Sequence, residues 1–432
     1  MEKRKSPWGP TLGALAVLGA GITGAYVGES QRHGVRVPIQ TDVTGKALYA
    51  SKSTEVEIPE NDYFMSVADK IDAMYVEPGQ DHRKMAVGAV RGMVNYLADP
   101  LANFMNPQQF SAYLRAQQGQ YEGIGVEVMY QYSKEVPKRS ELRDRAETEN
   151  PTPIDVADYI PDVLVTAVIP GSPADLAGMK PGDRIDSVDN RPVLSAREFV
   201  EFRNESKRVR ESKLSAAEVD KALRALQDRA NKALAPAKVR DLITLGQSGT
   251  LKVAWMRGDA RVEETMVRKV TEVEAVKVGP DGTLSLRLLQ GADAALRRQL
   301  ADKKPLKIDL RNSGQGSYDV LPKLLSLLTP VGDYGGFANE AGDRIKPLKS
   351  DGPGYEGTVT LLVDKSTRGA AEVLAEALRL AGKATLEGDV AMAGERAFVT
   401  STVLPDGSGY TIPTGTYRAK AKPSSATKEV RA

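Results

Sequence analysis

The sequence predicts an α+β multidomain chain, and three observations carry that reading. Before residue 120, apolar residues recur at three- and four-residue steps. From Tyr121 the pattern changes to short alternating runs punctuated by Pro and Gly. After residue 283, strand-like and helix-like runs alternate, as in a mostly parallel sheet covered by helices. The expected order is an apolar N-terminal span at 1–28, a tether at 29–60 and a helical domain at 61–120. A β domain follows at 121–270, with insertions at 131–161 and 204–248. An α/β domain at 271–419 and a disordered tail at 420–432 complete the chain.

In the N-terminal span, Lys3, Arg4 and Lys5 precede an uncharged stretch from Ser6 to Gly28, long enough to cross a bilayer as one helix. Positive charge ahead of the span keeps the N-terminus cytoplasmic. The expectation is a membrane anchor through residues 6–28, with the bulk of the chain in the periplasm or at the cell exterior. A cleaved signal peptide is the rival reading. In the helical domain, YFMSVADKIDAMYV repeats Phe64, Val67, Ile71 and Met74 at helical spacing, and MAVGAVRGMVNYL follows.

The β domain opens with YEGIGVEVMY and resumes at VLVTAVI. Within its second insertion, Ser215 and Glu218 form a capping box at the head of a helix. Val219, Leu223, Leu226, Ala230 and Ala233 then make a coiled-coil-like seam over 212–235. The seam is too short to stand alone; it folds onto its own domain or binds a partner. LKVAWMRGDARVEETMV reads as a hairpin turning near Gly258-Asp259. The α/β domain supplies LSLRLL, PLKIDLRN, TVTLLVD and ATLEGD as strands with helices between them.

Composition excludes several functions. Lys+Arg of 59 against Asp+Glu of 57 leaves a net charge of +2, so no basic field for nucleic acid exists. Cysteine is absent, and the two histidines, His33 and His82, both precede residue 100. The later domains therefore contain no thiolate nucleophile, no Ser-His-Asp triad and no His-rich metal site. No metal or organic cofactor is expected.

YVEP, GAVRGMVNYLADPLANFM, YEGIGVEV, PGSPADLAGMKPGDRI, IDLRNSGQG and LPDGSGYTI stand in an order and spacing that together resemble the C-terminal processing, or tail-specific, peptidases. That resemblance covers nearly everything after residue 60. It implies a PDZ-like β domain joined to an α/β (ClpP/crotonase-like) peptidase-type domain with a Ser/Lys dyad. It further implies a carboxylate-binding loop at Gly123, Ile124, Gly125 and Val126, where a protein's C-terminal tail adds as an extra strand.

Against that pattern the catalytic positions do not match. The family Ser lies three residues before a Glu; here that Glu is Glu372 and the nucleophile position is Gly369. The base position falls on Gly394, or on Glu395 when aligned from LPDGS, and the neighbouring Arg396 stays protonated. Gly314, Gln315 and Gly316, with the backbone at Gly369 and Ala370, resemble an oxyanion site. Fallback candidates for a rewired dyad are Ser366 and Thr367 with Lys365 and Lys383, although Ser and Thr also favour turns and caps. Three functions follow as alternatives. One is a non-catalytic binder of protein tails that regulates an active paralogue or acts as a homo-oligomer. The second is an active serine-type peptidase with a displaced dyad. The third is an envelope protein assembling through 212–235.

Overall fold

The computed structural model describes residues 34–38, 55–76, 81–97, 99–132, 160–300, 305–314 and 316–420. The expected span at 6–28, most of the first insertion and the tail beyond 420 lie outside the described residues. Among the described residues, no helix is long and apolar enough to cross a membrane.

The chain divides into two compact units, residues 1–88 and 89–432. In the first, β1 (Gly34–Pro38) pairs antiparallel with β2 (Glu55–Pro59). The stretch read as a tether therefore carries a two-stranded ladder, which its alternating Val and Ile residues favour. Helix α1 (Glu60–Met74) follows directly, and α2 (His82–Tyr96) comes next.

The second unit begins with β3 (Asn103–Met105), α3 (Pro107–Ala116) and β4 (Gln120–Tyr121). Asn106 and Gln109 close a capping box on α3. The expectation of a purely helical segment up to residue 120 is corrected here. The register of β3 is set by a distant partner strand at residues 409–411, a pairing that local periodicity cannot reveal.

The β domain has an antiparallel sheet whose edge strand is β5 (Val126–Gln131). Beside it runs β6 (Asp162–Val168), followed in the chain by the short α4 (Pro173–Leu176), β7 (Arg184–Val188) and β8 (Arg191–Pro192). Next come α5 (Ala196–Arg210), α6 (Ala216–Lys232), α7 (Pro236–Thr244), β9 (Thr250–Arg257) and β10 (Ala260–Val267). The sheet order is β10-β9-β7-β6-β5. Its core gathers Ile124, Val126, Val163, Val165, Ile185, Val253 and Trp255.

Val239 and Ile243 of α7 are fully buried in that same core. So α7 is not part of an insertion, as the span 204–248 implied, but a structural helix of the domain. The α5–α6 hairpin is the true arm. Arg229 pairs with Glu205 across it at 2.5 Å, and the predicted capping box holds, with Glu218 Oε2 2.9 Å from the Ser215 N–H. Val219, Leu223 and Leu226 are half-buried on the arm.

After β11 (Thr271–Glu272), which pairs with β4, the α/β domain builds two sheets. The first contains β12 (Val276–Val278), β13 (Leu284–Leu286) and, after α8 (Ala292–Gln299), β14 (Leu306–Asp309). Helix α9 (Leu321–Leu328) leads to a hairpin of β15 (Gly332–Ala338) and β16 (Arg344–Ser350). The chain returns to the first sheet through β17 (Val359–Val363), α10 (Gly369–Leu380) and β18 (Ala384–Gly388). Strands β13, β14, β17 and β18 are parallel, as predicted. The second sheet, order β16-β15-β20-β19, adds β19 (Ala397–Val403) and β20 (Gly409–Arg418), with β3 joined to β20. The alternating reading missed it, because its members are long hairpins without intervening helices.

Ile243→Ala should destabilise the β domain by about 2–5 kcal/mol, the usual cost of emptying a packed core site. Leu223→Ala on the half-buried arm should cost less than about 1.5 kcal/mol. Denaturant titration followed by the fluorescence of Trp255, buried in that core, would separate the two.

Candidate active site

The predicted strand–turn–helix is present. β17 ends at Val363, residues 364–368 turn, and α10 starts at Gly369. Asp364 organises the turn: its Oδ1 accepts the Ser366 N–H at 2.8 Å and the Ser366 hydroxyl, and its carbonyl accepts the Thr367 N–H at 2.9 Å. Ser366 Oγ in turn accepts the Asn312 N–H at 2.7 Å. Thr367 Oγ1 accepts the Asp364 N–H at 3.1 Å and donates to the Leu310 carbonyl at 3.3 Å. Both side chains are buried, and they fasten the turn to the end of β14. Lys365 and Lys383 are exposed, and neither bonds those hydroxyls. The fallback Ser/Thr–Lys dyad is therefore not assembled; the hydroxyls serve the turn, as Asx and ST motifs do.

The expected nucleophile and base positions do meet. Residues 393–395 lie against 367–369: the Ala393 N–H donates to the Thr367 carbonyl at 3.2 Å, and the Gly369 N–H to the Glu395 carbonyl at 3.0 Å. Gly369 (φ 58°) and Gly394 (φ 80°) have left-handed backbone, which glycine adopts without strain. Beside Gly394 there is open space, so nothing but the backbone conformation limits a side chain there.

At this juxtaposition the side chains form an ion pair. Arg368 Nη1 lies 3.2 Å from Glu395 Oε2, with 11% and 14% of the two side chains exposed. Glu372, one turn into α10 and 2% exposed, accepts the Glu395 N–H at 2.9 Å and faces Arg396 Nε at 3.5 Å. Burial raises the Glu372 carboxyl above its ordinary value. It raises Glu395 to about 7, against an opposing pull from Arg368.

Of the oxyanion-like residues, Gly316 packs toward Ala370, with 3.6 Å between the Ala370 methyl and the point where a Cβ on Gly316 would lie. At Gly314 a Cβ would overlap the Glu127 carboxylate. An anionic side chain thus already fills the space in front of that loop. Gln315 lies outside the described residues.

The β domain reaches the same place. Along β5, Val126, Val128 and Tyr130 face the domain core, while Glu127 and Met129 point the other way. Glu127 packs on Gly314, and Arg368 Nη1 lies 3.1 Å from Met129 Sδ. Asn312 adds a clamp to β6: its Oδ1 accepts the Val168 N–H at 2.6 Å, and its amide donates to the Val168 carbonyl. A cavity of about 270 Å³ runs between β5, α7 and α3, with Gly316, Tyr318 and Arg368 on its wall. In the loop expected to cradle a carboxylate, the Gly123 and Ile124 N–H groups donate to the Gly246 and Ile243 carbonyls at 2.9 Å. The Ile124 donor thus caps α7, and the Gly123 donor holds the chain just past its end. Gly125 (φ 78°) keeps an N–H without a partner among the described residues, and a Cβ there would overlap Ser172.

Sequence reasoning did not foresee Arg368, Glu127 or Met129 at this site. Period-two alternation along β5 separates the last two from the core-facing residues, but no local pattern shows what they face. Among the described residues, no acidic or histidine cluster is arranged to hold a metal.

The folded state holds the Glu395 proton more tightly than an unfolded chain does, where the ordinary value is 4.5. This contribution to stability is complete below about pH 4.5 and is lost as pH rises to 7, with a slope of at most about 1.4 kcal/mol per pH unit. Glu395→Gln should flatten the slope over that window in denaturant midpoints measured against pH.

The PDZ domain pattern matches residues 164–203, and that of peptidase family S41 matches residues 290–431. The chain is 25% identical over 348 residues to the chloroplastic C-terminal processing peptidase of Tetradesmus obliquus, covering 79% of this chain and 66% of that one. It is 23% identical over 344 residues to a probable CtpA-like serine protease of Staphylococcus aureus, covering 76% and 55%. The fold resembles that of the photosystem II D1 C-terminal processing protease, with a TM-score of 0.55, 20% identity and 82% of each chain covered.

Proposed function

We propose that this chain, a member of the C-terminal processing peptidase family by its PDZ and family S41 domains, holds the C-terminal tails of proteins without cutting them. The observation that carries the reading is the buried Arg368–Glu395 pair, seated where the family's Ser and Lys would meet. A hydroxyl becomes a useful nucleophile only beside a base that takes its proton. Here position 369 has no side chain, and a guanidinium, which carries donors only, offers a hydroxyl no base. The nearby hydroxyls of Ser366 and Thr367 are bonded within the turn.

Tail binding uses the β5 edge. An extended peptide adds antiparallel to β5, its backbone completing the ladder and its terminal carboxylate meeting the Gly125 end of the loop. Its last side chain enters the cavity between β5 and α7. We place the chain outside the cytoplasm, anchored through residues 6–28, where it shields tails or regulates an active paralogue.

The test is fluorescence anisotropy with a peptide labelled at its N-terminus and ending in an apolar residue. The peptide should bind with a Kd on the order of micromolar, and amidation of its C-terminus should weaken binding at least about tenfold, as expected when a charge-assisted contact is lost. The bound signal should hold steady for hours. A decaying signal would mark cleavage and refute the non-catalytic reading; equal binding of the amidated peptide would refute tail recognition.

A further inference from the structure

We propose that the tail groove continues beyond the PDZ domain into a second, polar subsite that takes an acidic side chain about four to six residues upstream of the tail's C-terminus. This rests on the tail-binding reading above and adds a sequence preference to it. The subsite is a cavity of about 380 Å³ joined to the first: both are lined by Asn103, Gln109, Tyr130, Arg240 and Asp241. It opens where β5 ends, at Tyr130 and Tyr132, and its far wall is α2, outside the PDZ domain.

The register follows from strand and helix geometry. In an antiparallel addition each peptide residue faces one residue of β5, so a terminal residue at Val126 places its fourth predecessor at Tyr130 and its sixth at Tyr132. Helix α7 runs alongside with a similar step. Thr244 lines the first cavity, Arg240 both and Ala237 the second, about one helical turn apart.

The chemistry follows from what the cavity leaves unpaired. Arg91 lies over the Phe104 ring at 5.0 Å and makes no hydrogen bond or ion pair among the described residues. Arg240 lies over the Tyr130 ring at 5.7 Å, pairs with Asp241 at 3.4 Å and donates to Asn103 at 3.3 Å. The Tyr130 hydroxyl is buried without a partner. Of the carboxylates on the wall, Asp241 takes the Gln109 amide at 2.6 Å and pairs with Arg240 at 3.4 Å, and Asp99 takes the Leu101 N–H at 2.8 Å, while Asn106 and Gln109 cap α3. Arg91 and the Tyr130 hydroxyl therefore leave donors without a partner among the described residues on the wall of this cavity. A carboxylate satisfies both kinds of donor, and a guanidinium fork matches its geometry.

The test uses the full chain and two labelled peptides with the same apolar C-terminus. One carries Glu at the fourth and sixth positions upstream, the other Gln. At low ionic strength, where exposed charges are least screened, the Glu peptide should bind at least about fivefold tighter. Arg91→Gln, on an exposed position, should abolish the difference between the two peptides. Equal affinity of the two peptides for the unmodified chain overturns the subsite but leaves tail binding standing. A preference that survives Arg91→Gln also overturns it. Failure of both peptides to bind overturns the tail-binding reading and the subsite together.

Discussion

The arrangement of this chain around its candidate site depends on one pairing: residues 393–395 laid against 367–369. Two backbone hydrogen bonds fix it, from Ala393 to Thr367 and from Gly369 to Glu395. It brings the start of α10 to the segment leading into β19, and it sets Arg368 beside Glu395 in a protected space. A buried ion pair is weak evidence for stability, since desolvation offsets much of the attraction. Its cost when broken is another matter, because a lone buried charge is left behind. The pair is therefore best understood as a fixture that closes the site, with Glu372 gripping the Glu395 backbone and engaging Arg396.

The same fixture ties the two later domains together. Arg368 touches Met129 on β5, Glu127 of β5 fills the space before Gly314, and Asn312 clamps the end of β6. The β5 edge and Arg368 at the head of α10 thus line one cavity. A tail adding to β5 would pass Gly316, Tyr318 and Arg368. Recognition and any chemistry would take place within a few side chains of each other. In this chain, those side chains are a paired arginine and glutamate, a tyrosine whose hydroxyl donates to the Ala397 carbonyl, and glycine backbone.

Much of the fold was legible in the sequence. The parallel strands β13, β14, β17 and β18 were plain because apolar runs of four to six residues alternated with helical periods. The capping box at Ser215 and Glu218 marked its helix correctly. What escaped is non-local. β3 and the β15–β16 and β19–β20 hairpins owe their places to partners far along the chain, and α7 belongs to a core that an insertion boundary concealed. At the site, the empty position at Gly369 was readable by counting from Glu372. The ion pair beside it was not, since Arg368 and Glu395 are joined only by tertiary structure. Ser366 and Thr367 are candidate nucleophiles on residue type; that their hydroxyls bond Asp364, Asn312 and Leu310 is visible only in the structure.

The most direct test of the central claim is mass spectrometry of an unfolded protein substrate with an apolar C-terminus, incubated for a day with the full chain and with its Ser366→Ala/Thr367→Ala variant. The account predicts intact substrate with both. Defined cleavage products from the unmodified chain that vanish with the variant would contradict it, and would mean that a hydroxyl of the turn leaves its structural bonds to act as the nucleophile.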